Sequence, residues 1–158
     1  MDMPTAGQPL LAHYVKKILA APVYQLAVRT PLQAAPALSQ RLDNQVLLKR
    51  EDLQPTFSFK IRGAYNKLAH LSEAQKAGGV ITASAGNHAQ GVALAARELG
   101  IDACIVMPES TPELKVIGVR SRGAQALLYG ASFPFALEHA LKLARESART
   151  FVSPFDDP

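Results

Sequence analysis

Val80-Ile81-Thr82-Ala83-Ser84-Ala85-Gly86-Asn87-His88-Ala89-Gln90-Gly91 is the stretch whose reading decides the fold. Its first four residues are apolar or β-branched, the composition of a short strand. Ser84, Ala85 and Gly86 are small and turn-forming, and from Asn87 to Leu99 apolar residues recur at helical spacing. Gly100 then stands where a helix-ending glycine belongs. Strand, tight turn and helix make half of a βαβ unit, and the same cadence continues outward. Ala103 to Met107 reads as a strand, Pro112 to Arg120 as a helix and Gln125 to Tyr129 as a strand. Ser132 caps a further helix with Pro134 in its first turn, where proline is tolerated. Phe151-Val152 opens another strand. Strands starting near 80, 103, 125 and 151 leave room for a crossover helix in each interval. The pattern predicts an α/β fold: a parallel sheet with flanking helices on both faces.

Upstream the grammar is looser. Ser58 is placed to cap a helix running to about Leu71, and Ser72 to Gln75 has capping-box spacing ahead of a short helix ended by Gly78-Gly79. Val46 to Lys49 reads as a strand and Pro36 to Leu42 as a short helix. Thr30-Pro31-Leu32 is a turn or extended piece, since the residue before a proline is biased away from helix. Leu10 to Leu19 carries helical apolar spacing, broken by Ala21-Pro22-Val23-Tyr24. Met1 to Pro9 reads as a loose lead-in.

Composition narrows the function classes. With 158 residues, 48% of them hydrophobic, one domain's worth of core is available. The net charge of +4 comes from 17 Lys and Arg scattered in runs no longer than pairs, so no basic stripe points to nucleic acid. Cys104 is alone, which excludes a disulfide framework or a cysteine metal cluster and fits a reducing compartment. The N-terminus lacks a basic region followed by an apolar run, and no apolar run reaches the roughly 18 residues of a membrane span. These features predict a soluble, cytoplasmic protein without nucleic-acid or membrane partners.

Three places could carry chemistry. Lys60, flanked by Phe59 and Ile61, could be a nucleophile, because desolvation lowers a lysine's pKa toward the neutral amine; the alternative is a surface lysine with its stem along apolar neighbours. Ser84 to His88 joins a strand to a helix start. Unpaired amides and the positive end of the helix dipole make such a turn an anion site, with Ala85 and Gly86 allowing close approach and Ser84 and Asn87 adding donors. The plain alternative is a strand-to-helix turn capped by Asn87. His88 has no second ligand at metal spacing and reads as structural. Cys104 reads as a buried small hydrophobe. Asp156-Asp157, as neighbours in a strand, would point to opposite faces, so no metal site is expected.

Taken together, Lys49-Arg50-Glu51-Asp52 with Gln54-Pro55, Ser58-Phe59-Lys60-Ile61-Arg62-Gly63-Ala64, and Ser84 to Gly91 resemble the threonine dehydratase (threonine ammonia-lyase) family. Val106-Met107-Pro108, Lys115-Val116, Gly123-Ala124, Gly130 and Pro154-Phe155-Asp156-Asp157-Pro158 continue the match in order. The opening segment looks closest to the biosynthetic enzymes of isoleucine formation. The resemblance implies a lyase of a two-domain fold that uses pyridoxal 5'-phosphate (PLP) on an amino-acid substrate and assembles as a homo-oligomer. It assigns Lys60 as the catalytic lysine that carries the cofactor, with Phe59 and Asn87 also cofactor-binding. Ser84, Ala85, Gly86, Asn87 and His88 would receive the substrate carboxylate. Residues 1–50 would belong to the larger PLP domain and 51–158 to a small α/β domain holding the lysine. Pro134 departs from an acidic residue common in the family there. No glycine follows Gly130, so the family's glycine-rich phosphate loop and any regulatory domain are missing from these residues. The resemblance therefore implies a truncated, inactive portion of such an enzyme. A serine dehydratase or serine racemase relative, or a non-catalytic fragment, stands as the alternative.

Overall fold

Apolar periodicity, caps and breakers fix the elements in order. The computed structural model describes residues 10–157, so the lead-in expected for Met1 to Pro9 lies outside the described residues. Helix α1 spans Leu10–Ala20 and ends ahead of Pro22. Strand β1 (Leu32–Ala34), helix α2 (Pro36–Leu42) and strand β2 (Leu47–Lys49) follow, and the two strands pair antiparallel with Leu32 opposite Lys49. Thr30-Pro31-Leu32 thus leads into a small separate sheet.

Helix α3 covers Lys60–Ala69, two residues shorter than expected at its C-terminal end. Ser58 lies one residue outside the cap, yet its Oγ accepts the Lys60 N–H at 3.3 Å. Helix α4 (Glu73–Gly78) carries the full capping box: Gln75 N–H donates to Ser72 Oγ and Ser72 N–H donates to Gln75 Oε1. Strand β3 (Val80–Ala83), helix α5 (Asn87–Glu98), strand β4 (Ala103–Met107), helix α6 (Glu113–Arg120), strand β5 (Gln125–Leu128), helix α7 (Phe133–Glu146) and strand β6 (Thr150–Phe151) complete the chain. Gly100 ends α5 with φ of 66°. Ser132 sits at the N-cap of α7 but makes no side-chain cap bond. Pro134 occupies the second helical position and has no N–H to offer it.

The main sheet has the order β5-β4-β3-β6, with every pair parallel, as the cadence predicts. Both faces are covered, by different helices. Val80, Ile105 and Met107 pack with Leu68 of α3, Val92 of α5 and Val119 of α6. The alternate residues Ile81, Ala83, Cys104 and Val106 pack on Ala136 and Ala140 of α7. This is period-two alternation in strands buried on both sides. The two edge strands, β5 and β6, are partly exposed, while β3 and β4 are buried throughout.

Candidate active site

The sheet order places a site. From β3 the chain moves to β4 and then β5, and it returns through α7 to β6 on the other side of β3. The direction reverses between β3 and β6. In open parallel sheets, ligands bind beyond the carboxyl ends of the strands at such a point. The segments that leave there are Ser84 to Gly86 and Val152 to Asp157. Helix α3 brings Lys60 to the same place, because α5 lets it come close at Gly91. A Cβ on Gly91 would lie 3.2 Å from the backbone carbonyl carbon and oxygen of Lys60.

A cleft of about 340 Å³ opens here, walled by Phe59, Lys60, His88, Val152, Pro154 and Phe155 among others. That is the size range of small-molecule sites. Lys60 is half-buried, and its Nζ donates to the Pro154 carbonyl oxygen at 2.8 Å. The Phe59 ring lies 5.7 Å from the same Nζ, a cation–π contact, and Phe155 meets Phe133 edge-on at 5.8 Å. Asn66 lines the cleft too, and its Oδ1 is buried without a partner. An unpaired buried polar atom costs about 1–3 kcal/mol, so a ligand or water that satisfied it would be favoured.

His88 is buried and serves the frame. Thr82 Oγ1 donates to the Val152 carbonyl at 2.6 Å, which leaves it to accept from His88 Nε2 at 3.2 Å. Burial pushes the His88 pKa below its usual value, and the Lys60 charge adds to this; the Val152 carbonyl and Asp157 act the other way. A neutral His88 with its proton on Nε2 therefore ties α5 to β3 and, through Thr82, to β6.

Ser84 caps α5. Its buried Oγ accepts the N–H groups of Gly86 and Ala89, each at 3.2 Å. Gly86 is the N-cap residue and Asn87, exposed, is the first residue of the helix, so the asparagine is not the cap. Among the described residues no hydrogen bond occupies the backbone amides of Asn87 or His88. A Cβ at Gly86 would meet nothing within 4 Å, leaving open space at this helix start.

Phe59, Lys60 and His88 thus share one cleft, while Ser84, Ala85, Gly86 and Asn87 lie at the adjoining turn and not in its wall. Sequence reading missed the Pro154 carbonyl, a backbone group 94 residues from Lys60, which no side-chain pattern announces. It also missed Thr82; a hydroxyl amid apolar strand residues was the available signal. Asp156-Asp157 are not in a strand. Asp157 turns back to accept the Ser153 N–H at 3.0 Å and pairs with Lys67, a loop geometry that strand alternation could not describe. Among the described residues no group of three or more His, Cys, Asp or Glu is gathered as a metal site, and no helix is long and apolar enough to cross a membrane. Burial raises the Cys104 thiol pKa, as expected of an inert core cysteine.

The family described as pyridoxal-phosphate dependent enzyme matches residues 23–158. A biosynthetic L-threonine dehydratase of Escherichia coli (strain K12) is 54% identical over 157 residues, which are 99% of this chain and 30% of that protein. In structure, the processed form of threonine deaminase isoform 2 from Solanum lycopersicum matches with a TM-score of 0.90 at 50% identity, over 99% of this chain and 43% of that one. Maize serine racemase matches with a TM-score of 0.84 at 30% identity, over 92% of this chain and 44% of that one. The chain spans about 30% of the length of the curated bacterial dehydratases it matches.

Proposed function

The chain belongs to the pyridoxal-phosphate dependent enzymes, and on that premise we propose that it is the lysine-bearing portion of a biosynthetic threonine ammonia-lyase, acting on L-threonine to give 2-oxobutanoate and ammonia in isoleucine formation. The observation that carries this reading is the Lys60 amine, held in a cleft at the reversal point of a parallel sheet. Higher identity to threonine enzymes than to a serine racemase supports threonine as substrate.

The cleft fits the cofactor. It offers an amine, apolar walls in Phe59, Val152 and Phe155, the orphaned Asn66 Oδ1, and open space over Gly63. When bound, PLP supplies an electron sink for charge that develops at the substrate α-carbon. Lys60 would hold it and move a proton at that carbon. Asn87, at the start of α5, would orient the ring. The Ser84 to His88 turn would take the substrate carboxylate on free amides at the positive end of α5, with Ser84 fixing the turn. Neutral His88 keeps this turn registered against Val152 and adds no charge of its own.

The division into a larger PLP domain from residues 1–50 and a small domain from 51 onward is part of the proposal. The exposed apolar residues Leu32, Leu47 and Leu48 of the β1-β2 sheet support it, since they invite cover by further structure. A cytoplasmic setting and homo-oligomeric assembly of the whole enzyme belong to the same reading. The lone buried thiol supports the first and the exposed face of α1 the second.

The test is a chimaera in which residues 10–157 replace the matching stretch of the Escherichia coli dehydratase. We expect 2-oxobutanoate from threonine, lost in Lys60→Ala, and borohydride trapping of PLP on the Lys60 peptide. Label on Lys49 or Lys67 instead, or a preference for serine, would overturn the assignment.

A further inference from the structure

We propose that the ion-paired Lys67 and Asp157 are positioning residues for Lys60; this rests on Lys60 being the cofactor lysine. Lys60 and Lys67 lie seven residues apart on α3, two turns along one face and about 10 Å in rise. The 152–157 segment meets that face at both points. Pro154 accepts from Lys60 Nζ at 2.8 Å, and Asp157 pairs with Lys67, their side chains only 17% and 26% exposed. Between the two contacts the same face carries Gly63 and Asn66, which line the cleft. The segment is therefore a strap over the cleft, pinned at each end.

Its own hydrogen bonds make it a single unit. Asp157 Oδ2 accepts the Ser153 N–H, and Ser153 Oγ accepts the N–H groups of Phe155 and Asp156. Thr82 fixes its root by donating to the Val152 carbonyl. Asp157 thus does two things with one carboxylate: it closes the loop on Ser153 and fastens it to α3 through Lys67. The result is that the Pro154 carbonyl is held against the Lys60 amine. An ammonium group bonded to a carbonyl is parked, since it must leave that oxygen and lose a proton before it attacks an aldehyde. Loosening the far pin frees the strap and so the amine.

The experiment uses the full 158-residue chain and phosphate-free pyridoxal, which reports on the amine and not on any grip of a phosphate. Brief exposure followed by borohydride, then peptide mapping, gives the label on Lys60 relative to Lys49 as an internal reference. Asp157→Asn and Lys67→Met should each raise that ratio about three- to fivefold, the change expected for a half-shielded ion pair. The exchanged pair, Lys67→Asp with Asp157→Lys, should return it toward wild type. A ratio unchanged in Lys67→Met, or not restored by the exchange, overturns the proposal; if Asp157→Asn fails to fold, Lys67→Met and the exchange decide it. No label on Lys60 in the wild-type chain, even with PLP, would instead sink the assignment of Lys60 itself. A merely structural pair would lower the melting temperature without moving the ratio.

Discussion

Glu51 shows how much one side chain does in this frame. It accepts from Arg62 Nε at 2.8 Å and Nη2 at 2.9 Å, from Thr30 Oγ1 at 2.5 Å and from Gln54 Nε2 at 3.2 Å. Arg62 stands two residues from Lys60 and also lies 5.2 Å over the Tyr24 ring, with Arg29 at 4.1 Å on the same ring. The segment ahead of α3 is thereby tied to the turn that carries the lysine. Arg62 first, and then Thr30 and Gln54, hold the Glu51 carboxyl down at about 2 from an ordinary 4.5 against the opposing cost of burial. The folded value lies below the unfolded one, so the stability gained is present above about 4.5 and is lost as pH falls toward 2. Glu51→Gln should therefore lower stability at pH 7 by on the order of 2 kcal/mol, less than the full shift implies because the site touches solvent. Urea midpoints at pH 7, 4 and 3 check this. The gap between wild type and variant should narrow as pH falls, and parallel profiles would contradict it.

Helix ends carry the second prediction. Ala148 follows the C-cap of α7 with φ of 55°, a left-handed position where Cβ crowds the backbone. It is exposed, so its methyl contributes little packing. Ala148→Gly should stabilise the chain by about 1 kcal/mol, read as a rise in melting temperature with α7 intact. The same contrast explains what could be read from the sequence. Strands β3 and β4 and helices α2 and α6 match their expected spans to within a residue, because local spacing and breakers set them. Their parallel pairing followed from the interval length and from short apolar strands set between amphipathic helices, whereas the strand order β5-β4-β3-β6 was not legible. Positive φ at Ala148 and Phe57 was not legible, since neither residue favours it and only the surrounding turns impose it. Nor was the strap over Lys60. Its contacts pair a backbone carbonyl and a late aspartate with a helix some 90 residues earlier, and no local pattern encodes that. Ser84 was expected to add a donor at the turn; that its Oγ also accepts the Gly86 and Ala89 N–H groups was not legible, since it depends on how the turn folds back.

For the molecule as a whole, exposed apolar surface decides behaviour. Leu11, Ile18 and Leu19 on α1 are each at least 70% exposed, as is Phe57, and Phe59 and Phe155 stand exposed in the cleft wall. With 19% charged residues, the chain has little charge to break up these patches. The cleft is open along the Phe59 and Phe155 side, so water reaches the Lys60 amine and weakens each electrostatic contact there. Among the residues that line it, Gly63 is the only glycine and lies inside α3, so the cleft wall holds no glycine-rich turn to grip a phosphate dianion. A cofactor must sit within about half an ångström of its productive position to work. We therefore expect the purified 158-residue chain, given saturating PLP, to label at Lys60 yet form 2-oxobutanoate from threonine far below the roughly ten turnovers per second of an ordinary enzyme. Its sedimentation should depend on concentration, and the dependence should fall when Leu11, Ile18 and Leu19 are changed together to serine. The chimaera, in which more chain covers the same surfaces, should recover turnover without any change at Lys60. Ordinary turnover by the isolated chain would mean that self-association closes the cleft. In that case the triple serine variant should lose activity along with assembly, which separates a site completed between copies from one complete within a single copy.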